Sequence, residues 1–181
     1  MSDLQDKILN ILKDGNFHSG ESLGEQLGVS RTAVWKQLQK LEEMGLQVES
    51  VKGTGYRVVN GFDLLCQDSI AAHLSSANAQ MPRQIEIFQT LDSTNKYIRD
   101  RAEQSDYSAS VVFAERQTSG RGRRGKTWVS PFAANIYMSI LWEFEQGAQA
   151  LEGLSLGIGV AVRRALAELG LDNVSLKWPN D

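Results

Sequence analysis

A short basic stretch in the second half of the chain contains the residues best suited to chemistry. Residues 118–128 read TSGRGRRGKTW, with Gly120, Gly122 and Gly125 in the spacing G-x-G-x-x-G and arginine at positions 121, 123 and 124. Glycine lets backbone N–H groups approach a ligand, and arginine presents a planar fork of donors to carboxylates and phosphates. We call residues 118–128 the arginine loop and predict that it binds an anion.

The same glycine spacing occurs in dinucleotide-binding turns, but the residues that follow exclude that interpretation. Such a turn opens a helix and is followed by an acidic residue about 20 positions later. Here the sequence continues KTWVSPF, where Pro131 and β-branched residues oppose a helix, and the first acid is Glu143 in a strand-like pattern. A basic RNA-binding loop stays open as an alternative. Strand patterns on both sides favour a folded loop that holds a carboxylate and a phosphate side by side.

The distribution of charge indicates a local anion site and not a generally basic protein. The 181 residues carry a net charge of −3, yet residues 116–142 contain no acid. The single cysteine, Cys66, excludes an internal disulfide and is predicted to be a small core residue. No run approaches the roughly 18 apolar residues of a membrane span, and the first residues do not form a signal peptide. The sequence therefore predicts a cytoplasmic protein with no membrane contact.

Three helical patterns and a hairpin pattern follow one another in the first 60 residues. Residues 4–12 repeat apolar side chains at helical spacing, and Ser19 and Ser30 are placed to cap two further helices that are separated by a tight turn. Two β-rich runs around KGTG, residues 52–55, then predict a hairpin. Two helices joined by a short turn and followed by a hairpin indicate a winged helix-turn-helix over residues 1–62.

The third helix of this module has the side chains of a DNA-reading helix. Hydroxyl, amide and cationic groups can contact base edges in the major groove, and residues 30–41 contain no acid. Cations on the hairpin could hold phosphates. The predicted DNA contacts are Ser30, Arg31, Thr32, Trp35, Lys36, Gln37, Lys40, Lys52 and Arg57. A winged helix that contacts protein is the alternative. Because one such module binds operator DNA weakly, we expect a homodimer.

Residues 66–181 alternate between strand and helix patterns. QIEIFQTL, ASVVFAERQ and NIYMSILWEF read as strands, VSLKWPND reads as the start of another, and apolar helical patterns lie between them. Asp92 or Ser93 is placed to cap the helix that follows the first strand. The predicted fold class is α+β, with an N-terminal winged helix-turn-helix over residues 1–62 and a mixed α/β domain over residues 66–181.

Three ordered motifs in this second domain resemble the biotin–protein ligase family. They are DSTN at residues 92–95, ERQTSGRGRRGKTWVSP at residues 115–131 and KWPND at residues 177–181. The winged helix ahead of them resembles the bifunctional class, in which the ligase also represses transcription. The resemblance implies that biotin and ATP form biotinyl-5'-AMP and that biotin then passes to a lysine of the biotin carboxyl carrier protein. It also implies that the adenylate is the corepressor of a dimer on operator DNA.

The resemblance also implies roles for individual residues of this chain. Biotin binding is implied for Ser93, Thr94, Asn95, Gln117, Gly120, Arg121, Gly122 and Arg123. Contacts to ATP or the adenylate are implied for Arg123, Arg124, Trp128, Asn180 and Asp181, and catalytic roles for Arg123, Arg124 and Asp181. Mg²⁺ is expected to arrive with ATP, near Asn180 and Asp181 but without direct protein ligands. Helix capping by residues 92–95 and a plain core role for Trp128 are the structural alternatives.

The chain ends at Asp181, inside the region that resembles the catalytic domain. The family continues with an essential lysine, a glycine-rich segment and a small β-barrel, so we expect these 181 residues alone to be a poor or inactive ligase. The alternative function is a winged-helix regulator that senses biotin or a related anion without catalysis.

Overall fold

The computed structural model describes residues 3–76, 82–104, 107–122, 125–144 and 147–177. The chain forms two compact units, residues 1–142 and residues 143–181. The first unit contains both a helical module with a hairpin and a mixed sheet, which confirms the predicted α+β class. The predicted domain limits, 1–62 and 66–181, stay a prediction, because the first unit extends across residues 63–65.

The N-terminal module has the predicted three helices, and serine caps fix where two of them start. The helices are α1 (Asp3–Leu12), α2 (Gly20–Leu27) and α3 (Arg31–Glu43). The Ser19 hydroxyl accepts the N–H of Ser22 at 3.0 Å, and the Ser30 hydroxyl accepts the N–H of Ala33 at 3.3 Å. Each bond satisfies a backbone donor that the first turn of a helix leaves unpaired. The two predicted caps and the helix-turn-helix are thereby confirmed.

The wing is an antiparallel hairpin that is tied to the loop before α2. Its strands are β1 (Val48–Val51) and β2 (Gly55–Val58), with Val51 opposite Gly55 at the turn. The N–H groups of His18 and Tyr56 each donate to the other residue's carbonyl at 2.9 Å. A Cβ at Gly55 would overlap the His18 carbonyl, so only glycine permits this approach.

The core of the winged helix includes a side chain from outside the module. Its fully buried members come from α1, α2, α3 and β2, and they are Ile8, Leu9, Leu12, Leu23, Val34, Leu41 and Val58. Phe132, which follows the arginine loop, is 2% exposed in the same cluster. Its N–H donates to the Met44 carbonyl at 3.3 Å, and its ring meets Phe62 edge-on with centroids 6.4 Å apart. The sequence patterns did not predict this connection.

The second part of the first unit is a three-stranded mixed sheet. Its strands are β3 (Gln84–Phe88), β4 (Ser110–Ala114) and β5 (Tyr137–Leu141), with β4 central, parallel to β3 and antiparallel to β5. Helix α4 (Gln67–Ser76) precedes the sheet, and the short helix α5 (Thr94–Arg99) joins β3 to β4. All five residues of β4 are buried, which suits a central strand. β5 is shorter than the ten residues that the apolar pattern predicted.

Glu115 is a buried carboxylate at the end of β4 that joins the sheet to the segment after the wing. It is 3% exposed, and its Oε1 accepts the N–H of Leu65 at 2.6 Å. Burial raises the pKa of the Glu115 carboxyl, and the hydrogen bond from Leu65 only partly opposes this rise. The charged form therefore costs stability at this position.

The second unit contains a 3-10 turn (Gly147–Leu151) and the helix α6 (Leu154–Glu168). Residues 174–177 do not form the predicted strand, because they make none of the ladder hydrogen bonds that define one. In the ranges that the structure describes, no helix is both long and apolar enough to cross a membrane. The prediction of a buried Cys66 is wrong. Its thiol is exposed just before α4, and hydrogen bonds from Ser69 and Asp68 lower its pKa.

Candidate functional site

The pairing of β3 with β4 continues beyond both strands and brings two of the sequence motifs together. The N–H of Leu91 donates to the carbonyl of Arg116 at 3.0 Å, and the N–H of Thr118 donates to the carbonyl of Leu91 at 2.8 Å. The N–H of Ser119 donates to the carbonyl of Asp92 at 2.8 Å. The DSTN motif and the start of the arginine loop therefore run side by side at the carboxyl ends of two parallel strands. Ligands commonly bind in this position in α/β sheets.

A chain of polar side chains links three elements at this edge. The Oε1 atom of Gln117 accepts the backbone N–H of Thr94 at 2.8 Å and its hydroxyl at 3.2 Å. The Ser139 hydroxyl of β5 donates to Thr94 Oγ1 at 2.9 Å. With its oxygen satisfied in this way, Gln117 has Nε2 as the group that can donate to a ligand. Thr94 is 3% exposed, and a ligand that uses its hydroxyl must share it with Gln117.

These residues line an open hollow of about 310 Å³, which we call the ligand hollow. The lining includes polar side chains and two apolar ones, Ile136 just before β5 and Met138 on β5. The lining residues are Ser93, Thr94, Asn95, Gln117, Gly120, Arg121, Trp128, Ile136, Tyr137, Met138 and Ser139. The structure therefore brings together six of the eight residues predicted to bind biotin. Gly122 is not among the lining residues, and Arg123 lies outside the described residues.

The arginine loop folds back on itself at two glycines. A Cβ at Gly120 would overlap the indole ring of Trp128, and a Cβ at Gly122 would overlap the carbonyl of Lys126. The Trp128 Nε1–H donates to the Ser130 hydroxyl at 2.9 Å, and the side chain remains 47% exposed. Trp128 is therefore a wall of the ligand hollow and not a core residue.

The loop also matches the Walker A pattern G-x-x-x-x-G-K-[ST] over residues 120–127, but its structure differs from that motif. A Walker A loop leads from a strand into a helix whose first N–H groups surround the phosphates. Residues 126–131 form no helix here, and β5 is the next regular element after them. The pattern therefore does not indicate a P-loop.

The capping interpretation of residues 92–95 is also correct, so this motif has a structural role beside any binding role. The Ser93 hydroxyl accepts the N–H of Lys96 at 3.3 Å at the start of α5. Lys96 Nζ lies 2.7 Å from the Asp92 carboxylate. The Lys96 ammonium, with the N–H of Ser93, lowers the pKa of the Asp92 carboxyl, and Asp92 in turn raises the pKa of Lys96.

The remaining predicted adenylate and catalytic residues lie outside the described residues. They are Arg123, Arg124, Asn180 and Asp181. In the parts of the chain that the structure describes, no group of three or more His, Cys, Asp or Glu side chains is placed to hold a metal ion.

The predicted DNA face is exposed at most of its positions. Exposed side chains are those of Ser30, Arg31, Thr32, Trp35, Lys36, Lys40 and Lys52. Arg31 and Lys52 line one hollow of about 260 Å³ between α3 and the wing, so helix and wing can contact the same DNA backbone. Gln37 differs from the prediction because it is half-buried beside the apolar stripe of α3. Arg57 is bound to Glu49 at 2.6 Å and lies over the Phe17 ring, so a phosphate must compete for it.

Ser139 and Tyr137 are site residues that the sequence reasoning missed. Both lie on β5, where the alternation of the strand points Tyr137, Ser139 and Leu141 to one face. A single serine among apolar residues of a strand was the signal that could have identified Ser139. The Tyr137 hydroxyl donates to the Pro131 carbonyl at 3.2 Å, which fixes the chain just after the arginine loop.

Two protein-family models match the chain. Residues 4–57 match the model of an HTH domain, and residues 87–181 match the model of the biotin/lipoate A/B protein ligase family. The chain belongs to this family. The family match begins in β3 and includes the DSTN motif, the arginine loop and β5, which are the parts that line the ligand hollow.

The chain is also similar to individual proteins whose names describe ligases. The chain is 45% identical over 174 residues to the bifunctional ligase/repressor BirA of Salmonella typhimurium, covering 96% of this chain and 52% of the relative. It is 43% identical to the protein of that name from Escherichia coli, covering 97% and 52%. It is 36% identical over 104 residues to a biotin–[acetyl-CoA-carboxylase] ligase of Mycobacterium tuberculosis, covering 55% and 39%. The chain spans about half the length of the BirA relatives.

Proposed function

We propose that the protein is a biotin–protein ligase that also acts as a biotin-responsive transcriptional repressor. The observation that carries this proposal is the meeting of Thr94, Gln117 and Ser139 with the arginine loop in the ligand hollow of a member of the ligase family. Relatives named as ligase and repressor, with an HTH match ahead of the ligase match, support the second activity.

The first proposed reaction joins two anions. A carboxylate oxygen of biotin attacks the α-phosphorus of ATP, a P–O bond forms, and pyrophosphate leaves. The reacting groups repel each other, so cations placed around them lower the barrier by stabilising the developing charge. Arg121 lines the ligand hollow, and the arginine loop brings no acid near it. We assign Arg123 and Arg124 to the phosphates and Asn180 and Asp181 to their support, as the family resemblance implies.

The ureido ring of biotin fits the polar side chains of the hollow. The Gln117 Nε2 group can donate to the ureido oxygen, while the hydroxyls of Ser93 and Thr94 can accept from ring N–H groups. The apolar side chains of Ile136 and Met138 are suited to the thioether ring and the valeryl chain. We infer that the carboxylate end of biotin then lies toward the arginine loop. The backbone of Gly120, Arg121 and Gly122 can then approach it.

The second proposed reaction transfers biotin to a lysine of the biotin carboxyl carrier protein. The lysine amine attacks the acyl carbon of biotinyl-5'-AMP, AMP leaves with the bonding electrons, and the nitrogen loses a proton. The mixed anhydride must be kept from water until the lysine arrives. Closure of the arginine loop with the Trp128 indole over the adenine supplies this protection. Mg²⁺ is proposed only as the ion that ATP brings, where it neutralises phosphate charge.

The winged helix supplies the proposed repressor activity. We infer that α3 enters the major groove with Arg31, Trp35 and Lys36 and that Lys52 of the wing holds a phosphate. A homodimer of the adenylate-bound protein would place two such helices on the two half-sites of an operator with two-fold symmetry. Both reactions and the DNA contact are assigned to the cytoplasm.

The proposal is tested by biotin-dependent exchange between ATP and labelled pyrophosphate, measured with the full-length protein. Exchange that requires biotin is the expected result, because it reports reversible adenylate formation. Tight biotin binding with no exchange would contradict the ligase and favour the non-catalytic sensor. Biotin binding and exchange are measured on the same protein sample. A sample that binds biotin is folded, so missing exchange cannot then be explained by unfolding.

A further inference from the structure

A set of charged side chains on α5 lies beside the ligand hollow, and none of the proposed reaction steps uses it. Lys96 and Arg99 are three positions apart, so they share one side of the helix, and both are exposed. Together with residues of the DSTN motif and the arginine loop they line an open hollow of about 450 Å³, which we call the basic ledge. Its lining consists of Asp92, Ser93, Asn95, Lys96, Arg99, Ser119 and Arg121.

The basic ledge is adjacent to the ligand hollow. Ser93, Asn95 and Arg121 line both. A molecule bound on the ledge therefore lies next to whatever occupies the ligand hollow, with the arginine loop at the boundary between the two.

The described lining of the ledge has an excess of positive charge. Its lining contains three cations and one carboxylate, a net charge of 3 − 1 = +2. The carboxylate, Asp92, is paired with Lys96 at 2.7 Å. Asp92 and, less strongly, Asp100 raise the pKa of Lys96, and Arg121, which lines the same hollow, opposes this rise. The guanidinium of Arg99 has no ion-pair or hydrogen-bond partner among the residues that the structure describes.

We propose that the basic ledge docks an acidic segment that flanks the acceptor lysine of the protein receiving biotin. This inference rests on the proposed function, because only the transfer step brings a protein lysine to the ligand hollow. A positive ledge repels a lysine ammonium on its own. Carboxylates beside that lysine remove the repulsion, steer the encounter and select acceptors of the right charge pattern.

Pyrophosphate is the other anion that could reach the ledge, and the backbone geometry disfavours it. Phosphate sites are commonly built from free N–H groups that converge at a helix start or a turn. At the start of α5 the N–H of Thr94 is taken by Gln117, and the N–H of Lys96 is taken by Ser93. What remains for a partner is a row of long, exposed cationic side chains, which suits the carboxylates of a protein surface.

Arg99→Glu in the full-length protein tests the proposal, with Arg83→Glu as the matched control. Arg83 is exposed at the opposite end of β3 from the arginine loop and undergoes the same change of charge. Two rates are measured for each variant: biotin-dependent ATP–pyrophosphate exchange, and transfer from preformed biotinyl-adenylate to the biotin-accepting domain of an acetyl-CoA carboxylase. Transfer is followed at about 50 mM and about 300 mM NaCl, because added salt screens charge pairing between surfaces.

For Arg99→Glu we expect the second-order rate constant of transfer to fall about 10-fold at low salt and less than about 2-fold at high salt. Exchange stays within about 2-fold of the unaltered protein, as does transfer to hydroxylamine, a small acceptor that needs no docking. Arg83→Glu changes none of these rates.

Three results would overturn the proposal in distinguishable ways. An equal loss of exchange and transfer would assign the ledge to pyrophosphate. Unchanged transfer to the acceptor domain, or a loss that salt does not reduce, would remove the acidic docking contact. Absence of both exchange and transfer in the unaltered protein would refute the proposed ligase function, and this proposal with it.

Discussion

Replacing Phe132 with alanine tests how the chain is fixed after the arginine loop. Phe132 is 2% exposed, lies among the core residues of the winged helix and meets Phe62 edge-on. Removing a buried phenylalanine side chain leaves a cavity and costs about 3–5 kcal/mol in well-packed cores. We expect Phe132→Ala to lower the free energy of unfolding of the first unit by that amount, because the surrounding helices are fixed by their own contacts.

The assay is urea unfolding followed by tryptophan fluorescence. With a slope of about 2 kcal/mol per molar urea, a loss of about 4 kcal/mol lowers the midpoint by about 2 M. Val129→Ala is the control from the same segment, because Val129 is 76% exposed and its truncation is expected to change stability by less than about 0.5 kcal/mol.

The same variant has a second expected effect, on the ligand. Phe132 follows Trp128 by four residues, and its N–H donates to the Met44 carbonyl at the end of α3. The variant keeps this backbone donor but loses the ring that packs in the core of the winged helix. The chain after the loop is then less restrained, so biotinyl-adenylate should dissociate faster from the folded variant. A loss of stability below about 1 kcal/mol, with unchanged dissociation, would refute the packing of Phe132 against the winged helix.

Three further predictions concern separate parts of the molecule. Burial raises the pKa of the Glu115 carboxyl in the folded protein. The free energy of unfolding therefore falls as pH rises from the pKa of this carboxyl in the unfolded chain to its higher pKa in the folded protein. Glu115→Gln, which keeps an acceptor for Leu65, should therefore be more stable than the unaltered protein at neutral pH and lose that advantage in acid, as measured by thermal unfolding across pH. Gly120→Ala should weaken retention of the adenylate, because the added Cβ would overlap the Trp128 ring. Unchanged retention would show that close contact between residue 120 and the Trp128 ring is not needed to hold the adenylate. Arg31→Ala should weaken operator binding about 10-fold in a DNA titration without changing biotin affinity, and equal DNA binding would remove α3 as the reading helix.

Local sequence signals predicted the elements whose boundaries depend on local hydrogen bonds. The caps at Ser19, Ser30 and Ser93 follow from side chains that accept the N–H group three residues later. The wing follows from alternating β-rich runs around glycines. The DSTN motif and the arginine loop each follow a strand pattern, but their assignment to one site came from the family resemblance.

Long-range packing could not be read from the same patterns. Phe132 has no local signal that separates a loop phenylalanine from a core one. Its ring contacts Phe62, 70 positions earlier, and its N–H donates to the Met44 carbonyl, 88 positions earlier. Ser139 joins the polar chain through Thr94, 45 positions away. Cys66 was predicted to be buried because cysteine side chains usually are. It is exposed because it lies at an exposed position just before α4.

The central claim is that Gln117, held by Thr94 beside Ser139, recognises biotin. It is tested most directly by titrating biotin into the protein and into its Gln117→Leu variant, with Gln104→Leu, the same change at an exposed glutamine, as control. Loss of the Gln117 hydrogen bonds at a site that keeps its volume should cost about 1.5–3 kcal/mol and raise the Kd about 10-fold to 100-fold. The control should bind as the unaltered protein does. A Gln117→Leu protein that is folded and binds biotin with unchanged affinity would contradict the account.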